Sequence, residues 1–452
     1  MNKLLPELLL CSFVAVIATV ALGAPTFKSV GDVSGRYSPV TVSPGAIPLY
    51  FPSGSTAGAD APTDMKGQAA QALQRLGANL KDAGLSFEDV AFARAYLAPG
   101  ADGKVDYEGW NAAWDEVFNN PAKPVAVKPA RTSVAVPLLG RPGTLIEIDL
   151  VCLPKKGTDF ASAARSGLPS FNSQLKPYGT KERHILAGIG VLPNTALYWT
   201  QGTTAPVIDE SVPATDIRHR GDMRTQARNT LLALQKNLAG VGLTFKDVVY
   251  LRAFIAPDLR TKTFDYDGWN AAYGEFFNNA ENPHKPARTT VTTPAFGSAS
   301  TLIEIEIIAA FPKAPDLFDA KAGNPRLKAF GEPTAMISSG VAVAANAPLV
   351  LSAGVVSSVP GDLKTQALSA LDTLQKRLAA AGLTFKDVVF LRAYVVPEAD
   401  GSVDRQAWAQ AYTQYFNNPQ QPHKPARTTI AVLSLPRPDL KIELDVIAVK
   451  AK

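Results

Sequence analysis

The sequence predicts an α+β protein of three tandem units, each a sheet with two helices on one face, closed on one another as an intrachain pseudo-trimer. Three observations predict it. First, one passage is written three times: "GLSFEDVAFARAYLAP" from Gly84, "GLTFKDVVYLRAFIAP" from Gly242 and "GLTFKDVVFLRAYVVP" from Gly382. Second, each is followed in register by "DYEGWNAAWDEVFNN", "DYDGWNAAYGEFFNN" or "DRQAWAQAYTQYFNN", and then by a Lys-Pro-Ala-Arg segment. The period is far longer than a solenoid repeat, so each copy is a domain. Third, the closing strand is apolar on both sides. Ile442, Leu444, Val446 and Ala448 point one way, and Ile447 and Val449 the other. Helices can cover only one of those faces. The other copies are the available cover for the second, and three sheets about one axis would also hide strand edges.

Each copy reads in the order β-β-α-β-α-β-β. A short strand pair opens it, as in "ALYWTQGTTAPVI". A helix follows, "LKTQALSALDTLQKRLAAAG" in the third copy, where Ala367, Leu368, Leu371, Leu374 and Leu378 recur at three- and four-residue steps as one buried stripe. Gly382 suits its end. "FKDVVFLRAYVV" is rich in β-branched and aromatic residues and reads as a strand. The segment from Asp404 through "QAWAQAYTQYF" is a second helix, and "ARTTIAVLSL" and "KIELDVIAV" close the unit as strands. The expected boundaries are a leader over 1–24 and units over 25–156, 168–313 and 322–452. Linkers are expected near "KKGTDFASAARSGLPS" and "PKAPDLFDAKAGNP".

A chain of 452 residues suits about three domains. The net charge of +5 is small for that length, and no basic block stands out, which argues against nucleic acid as a partner. The first residues, "MNKLLPELLLCSFVAVIATVALGAP", join Lys3 to an apolar run from Leu8 to Leu22 and small residues at Ala21-Leu22-Gly23. That is the pattern of a secretory signal peptide, so the mature protein is expected in the periplasm or outside the cell, with no further membrane contact. A retained anchor is the alternative, but the run is short and no second apolar stretch follows. Cys11 lies too early for a lipid acceptor. Beyond the leader only Cys152 remains, in the apolar "IDLVCLP", and reads as a buried structural thiol. Four histidines without paired spacing argue against a metal site, and no Gly-rich phosphate loop is present.

The repeated text resembles the RidA/YjgF family of reactive intermediate deaminases. The resemblance rests on the first helix, "GLTFKDVV", the second helix ending in "YF", and "PARTT…LP…KIELDVIAV". It covers most of each copy. It implies a chorismate-mutase-like fold, trimers, and small-molecule clefts between neighbouring subunits, here the copies of a single chain that mimics a homotrimer as a monomer. It further implies that the arginine of Pro-Ala-Arg grips the carboxylate of an imino or enamino acid, and that a late glutamate holds the hydrolytic water. In this sequence those are Arg131, Arg288 and Arg427, and Glu147, Glu304 and Glu443, each glutamate sixteen residues after its arginine. The family's Ser-Gly pair corresponds to Ser53 and Gly54, and then to Gln201 with Gly202 and Ala353 with Gly354. Glycine suits close backbone approach to a ligand. The family cysteine after the arginine is replaced by Ser133, Thr290 and Thr429, and its early tyrosine corresponds to Tyr37 or Tyr178, with Phe330 in the third copy.

The chemistry is reasonable on residue types alone. A guanidinium pairs with a carboxylate through two parallel hydrogen bonds, and an imine needs only polarisation and a placed water, with no metal or organic cofactor. A structural ion pair between the arginines and glutamates is the plainer reading of the same residues. Trp110, Trp269 and Trp408 read as packing anchors, His284 and His423 as surface residues, and Lys128, Lys285 and Lys424 as solvated. Two functions follow from these readings: hydrolysis of 2-imino acids to 2-oxo acids and ammonia, or non-catalytic binding of small carboxylates. The unequal residues at Ser53, Gln201 and Ala353 predict unequal clefts, the third the poorest. For the leader, the expected outcome is a mature N-terminus near Ala24 or Pro25 in protein recovered from the periplasm. N-terminal sequencing that finds Met1 on the bulk of soluble protein would exclude that processing.

Overall fold

The computed structural model describes residues 28–30, 40–42, 46, 48–123, 125, 128–139, 141–154, 172–178, 188–258, 260–296, 298–316, 326–330, 340–435 and 437–451. The leader, Tyr37 and most of both expected linkers lie outside them.

The first copy supplies β1 (Lys28–Val30), β2 (Val40–Val42), β3 (Leu49–Pro52), β4 (Ser55–Thr56), α1 (Met65–Asp82), β5 (Val90–Leu97), α2 (Tyr107–Phe118), β6 (Ala130–Ala135) and β7 (Ile146–Cys152). The second supplies β8 (Leu175–Tyr178), β9 (Gly188–Val191), β10 (Leu197–Thr200), β11 (Thr203–Thr204), α3 (Met223–Ala239), β12 (Val248–Ile255), α4 (Tyr266–Phe276), β13 (Ala287–Thr292) and β14 (Ile303–Ala310). The third supplies β15 (Leu327–Phe330), β16 (Gly340–Val343), β17 (Leu349–Ser352), β18 (Val355–Val356), α5 (Leu363–Ala380), β19 (Val388–Val395), α6 (Arg405–Tyr415), β20 (Ala426–Ala431) and β21 (Ile442–Val449). These are the expected three α+β units.

Local chemistry sets the elements. Asp64, Asp222 and Asp362 cap the long helices, each accepting from a backbone N–H of the first turn. Gly84, Gly242 and Gly382 take positive φ just beyond the helix ends, where a side chain would be strained. In α5 the buried stripe is Leu363, Gln366, Ala367, Ala370, Leu371, Leu374 and Leu378, while Leu368 is half-buried at its margin. The alternation of the last strand is as expected. Ile442, Leu444, Val446 and Ala448 pack under the helices, and Val449 and Ile447 join the cluster shared by all three copies. Cys152 is buried beneath α1, and burial raises its thiol pKa.

One feature departs from the β-β-α-β-α-β-β order. Every copy begins with an additional hairpin, and that hairpin does not join its own sheet. Hairpin β8–β9 extends the sheet of the first copy, with Leu49 opposite Val191. Hairpin β15–β16 extends that of the second, with Leu197 opposite Val343. Hairpin β1–β2 extends that of the third, with Val350 opposite Val42. The three seven-stranded sheets are thus laced in a ring, and the first described strands lock onto the last copy. Tyr178 and Phe330 sit on these hairpins and pack edge-on against Tyr50 and Tyr198, 5.6 and 5.8 Å between ring centres, so they serve the core.

The inner faces of the sheets meet on a pseudo-threefold axis. The middle strands present Phe92-Arg94-Tyr96, Tyr250-Arg252-Phe254 and Phe390-Arg392-Tyr394 at alternate positions. The first residue of each triplet joins one axial apolar cluster and the third another. Between the two layers Arg94, Asp149, Arg252, Glu306, Arg392 and Asp445 alternate in a closed ring of buried ion pairs. Arg94 lies 3.3 Å from Asp149 and 3.1 Å from Asp445, Arg252 lies 2.7 Å from Asp149, and Arg392 lies 3.2 Å from Asp445; Glu306 bridges Arg252 and Arg392.

Deleting the chain through Val42 strips the outer strands from β17 and bares a sheet edge. The full chain is expected to scatter light as a monomer, and the truncated one to associate with rising concentration and melt at lower temperature. A truncated chain that stays monomeric with an unchanged melting point would show that the hairpin closes nothing.

Candidate functional site at the boundaries between copies

Arg131, Arg288 and Arg427 are each the second residue of an edge strand, paired in parallel with Ala93, Leu251 and Leu391 of the middle strand. That register turns them to the helix side. Each guanidinium lies on two aromatic rings of the second helix: Arg131 over Trp110 and Trp114 at 5.4 and 4.9 Å, Arg288 over Trp269 and Tyr273 at 5.5 and 4.6 Å, and Arg427 over Trp408 and Tyr412 at 5.6 and 4.5 Å. The tryptophans are anchored in turn, each indole N–H donating to Ser133, Thr290 or Thr429 at 2.9, 3.1 and 3.1 Å. Trp110, Trp269 and Trp408 are therefore packing anchors and also the floor under the guanidinium. The residues at the family's cysteine position hold that floor. Asn111 and Asn270 accept from Nη2 of Arg131 and Arg288 at 2.8 and 2.9 Å.

The glutamate that meets each arginine comes from another copy. Glu147 pairs across its sheet with Tyr96, and Arg131 with Ala93, so one copy's arginine and glutamate lie on opposite sides of the middle strand. Across the copy boundary, the Gly54 N–H donates to the Arg288 carbonyl at 3.2 Å, Gly202 to Arg427 at 3.2 Å, and Gly354 to Arg131 at 3.1 Å. Cβ atoms added to these glycines would stand 2.2, 1.8 and 1.7 Å from Oε1 of Glu147, Glu304 and Glu443. Glycine is required there, because the carboxyl lies directly against the backbone that contacts the next copy's arginine. At the three copy boundaries Arg288 is thus brought to Glu147, Arg427 to Glu304, and Arg131 to Glu443. At the Arg288 boundary the Ser53 hydroxyl accepts from the Arg288 N–H at 2.9 Å; Gln201 and Ala353 stand at the corresponding places of the other copies.

Glu147, Glu304 and Glu443 are buried and, among the described residues, make no ion pair. The plainer reading of the arginine and glutamate as a salt bridge does not hold from the glutamate side. Their carboxyls are pushed up to about 8, first by burial and then by the ring carboxylates Asp149, Glu306 and Asp445, with the facing arginine pulling the other way. Each ring carboxylate sits two residues along the same strand from its glutamate, on the same sheet face. Burial likewise lowers the pKa of Arg288 and Arg427, as befits desolvated cations that an incoming carboxylate would compensate.

Two expectations are corrected, the surface placement of the histidines and that of the lysines. His284 is buried, its Nε2 2.7 Å from the Val248 carbonyl, and burial lowers its pKa to about 4; His423 makes the same contact with Val388 at 2.6 Å. Both tie the loop before the arginine to the middle strand. Lys285 is buried too, while Lys128 and Lys424 are half-buried. The ring arginines Arg94, Arg252 and Arg392 escaped the sequence reading. Their signal was a charge recurring inside an otherwise apolar strand in every copy. Among the described residues no cluster of three or more metal-binding side chains occurs, and no helix is long and apolar enough to cross a membrane.

A carboxyl whose pKa is raised on folding binds its proton more tightly in the native state, so stability is lost as pH climbs from about 4.5 to about 8. Replacing Glu147, Glu304 and Glu443 together with Gln removes that loss. Measured as the difference in unfolding free energy between variant and wild type, the variant is expected to gain on the order of several kcal/mol between pH 5 and pH 8. An unchanged difference across that range would show that the carboxyls are ionised throughout.

The chain matches the model of the family described as Endoribonuclease L-PSP over residues 30–153, 210–311 and 333–450. It is 31% identical over 108 residues to a RutC family protein of Haemophilus influenzae, covering 23% of this chain and 79% of that one. It is 28% identical over 93 residues to TdcF of Escherichia coli, provisionally named a reactive intermediate deaminase, covering 21% of this chain and 67% of that one. Among solved structures, a YjgF family member from Neisseria meningitidis is 25% identical, with 28% of this chain and 95% of that chain covered and a TM-score of 0.20. The structure of Escherichia coli TdcF with bound serine is 22% identical, with 30% and 99% covered and a TM-score of 0.21.

Proposed function

The chain belongs to the Endoribonuclease L-PSP family, that of the RidA and YjgF proteins, in three tandem copies, and we propose that its clefts hydrolyse 2-imino acids and their enamine tautomers to 2-oxo acids and ammonia. The observation that carries this reading is the meeting, in each of three clefts, of an aromatic-seated arginine with a glutamate whose pKa lies near neutrality. The relative named a reactive intermediate deaminase supports it.

The arginine receives the substrate carboxylate, and its rigid seat fixes the imine carbon above the glycine backbone. A glutamate with a pKa of about 8 is mostly protonated at neutral pH, so it donates its proton to the imine nitrogen. The carboxylate that remains accepts a proton from water as the water oxygen bonds to the iminium carbon. That proton passes to the amine nitrogen, the C–N bond breaks as the hydroxyl proton returns to the glutamate, and ammonia and the 2-oxo acid depart. The nearby negative ring carboxylate keeps the glutamate basic enough to act in both directions. We propose the periplasm or the cell exterior as the place of this reaction, on the signal-peptide pattern of residues 1–24. A second reading, a non-catalytic binder of small carboxylates, is favoured by the change from Ser53 to Gln201 and Ala353 across the copies.

The test is ammonia release from an imino acid made in situ by an amino-acid oxidase. Changing Arg131, Arg288 and Arg427 together to Ala is expected to remove roughly 2–4 kcal/mol of transition-state stabilisation with the fold intact. Changing the three glutamates to Gln is expected to lower turnover more than affinity. Wild type that binds carboxylates without speeding hydrolysis would establish the binder. An arginine variant as active as wild type would misplace the site.

A further inference from the structure

The Arg427 cleft differs from the other two in charge. At the first position of the second helix, Tyr107 and Tyr266 of the first two copies are replaced by Arg405. This position is aimed across the copy boundary. The Tyr107 hydroxyl donates to the Ser434 carbonyl of the third copy at 3.4 Å, and Tyr107 and Tyr266 lie beside Glu443 and Glu147. Arg405 correspondingly lies beside Glu304 and Arg427. It is exposed, and among the described residues its guanidinium makes no hydrogen bond or ion pair.

A third cation joins them from the second copy. Between the short strand and the long helix that copy runs "APVIDESVPATDIRHRGD", where the first has "AGADAPTD" and the third "SSVPGD". The longer segment folds back on itself, the Ile208 N–H donating to the His219 carbonyl at 2.9 Å, and Arg220 donates to the Ala205 carbonyl. Arg220 thereby stands beside Arg405, and its buried Nε has no hydrogen-bond partner. Ala409 stands where Asn111 and Asn270 hold the arginines of the other clefts, which leaves room, and Gln201 stands where Ser53 does, which offers an amide in place of a hydroxyl. A run of three guanidinium groups, Arg427, Arg405 and Arg220, beside one carboxyl is an unfavourable assembly unless an anion of more than one charge enters it. In the Arg131 cleft a further arginine, Arg377, also lies near Glu443, but it donates to the carbonyls of Ala353 and Gly354 behind the strand.

We propose that the Arg427 cleft, where Arg405 stands beside Arg427 and Glu304 with Arg220 behind it, takes imino or enamino acids bearing a second carboxylate, while the two clefts with a tyrosine at that position take monocarboxylates. Arg427 holds the carboxylate next to the reacting carbon, and Arg405 with Arg220 holds the distant one. This inference rests on the reading of the clefts as carboxylate sites.

Titration calorimetry on the full chain tests it, with 2-oxobutyrate and 2-oxoglutarate as stable mono- and dicarboxylate probes. One equivalent of 2-oxoglutarate is expected to bind at least about tenfold more tightly than 2-oxobutyrate, the gain of one charge-assisted pair. Arg405→Tyr, which installs the side chain of the other copies, is expected to lower 2-oxoglutarate affinity by about tenfold, and Arg405→Lys to retain most of it. Equal affinity of the wild type for both probes overturns this inference alone, as does an equal loss of both in Arg405→Tyr. Failure of both probes to bind at any cleft overturns it together with the carboxylate reading on which it stands.

Discussion

The closed ring of Arg94, Asp149, Arg252, Glu306, Arg392 and Asp445 is the constraint on which the rest of the molecule depends. Each copy contributes one cation and one anion, and each cation reaches an anion of another copy. Charges buried this deeply are tolerable only when all are paired. Three guanidinium groups and three carboxylates around one axis satisfy that condition together, so the ring holds the three copies to a common axis. Aromatic layers above and below exclude water and strengthen the pairs. The cavity at this level is small, about 30 Å³.

The same ring reaches into the clefts. Asp149, Glu306 and Asp445 serve the axis directly and the site indirectly, since each is a negative charge two residues from the cleft glutamate on one strand. For Glu306 itself burial would raise the pKa, but Arg392 and Arg252 hold it down to about 2, so its charge is permanent. A permanent anion beside a buried carboxyl keeps that carboxyl protonated near neutrality. Assembly of the copies and the acid–base character of the site are thus two effects of one set of charges.

Fusion into one chain gives a freedom that three identical subunits lack. Identical subunits must have identical clefts, whereas tandem copies can drift apart. The hairpins that lace each sheet to the next copy, and the last to the first, hold the geometry while individual positions vary. Ser53, Gln201 and Ala353, or Tyr107, Tyr266 and Arg405, sit on a common framework with different side chains.

By itself the sequence determined the three copies, the α+β units, the order of most elements, the buried stripe of α5 and the two-sided burial of the last strand, because periodicity and repetition are local properties of the chain. It also determined which arginines, glutamates and glycines to watch. It did not determine their pairing. The constant sixteen-residue interval joins Arg131 to Glu147 along the chain, yet β5 lies between β6 and β7 and sends the two into different clefts. The exchanged hairpins were invisible for the same reason: a strand's sequence states its faces but not whose edge it meets. His284 and Lys285 read as surface residues by type and are buried, because the loop before the strand is drawn onto the middle strand. Proximity between copies, and with it desolvation and the raised pKa of the glutamates, exists only once three sheets close on one axis.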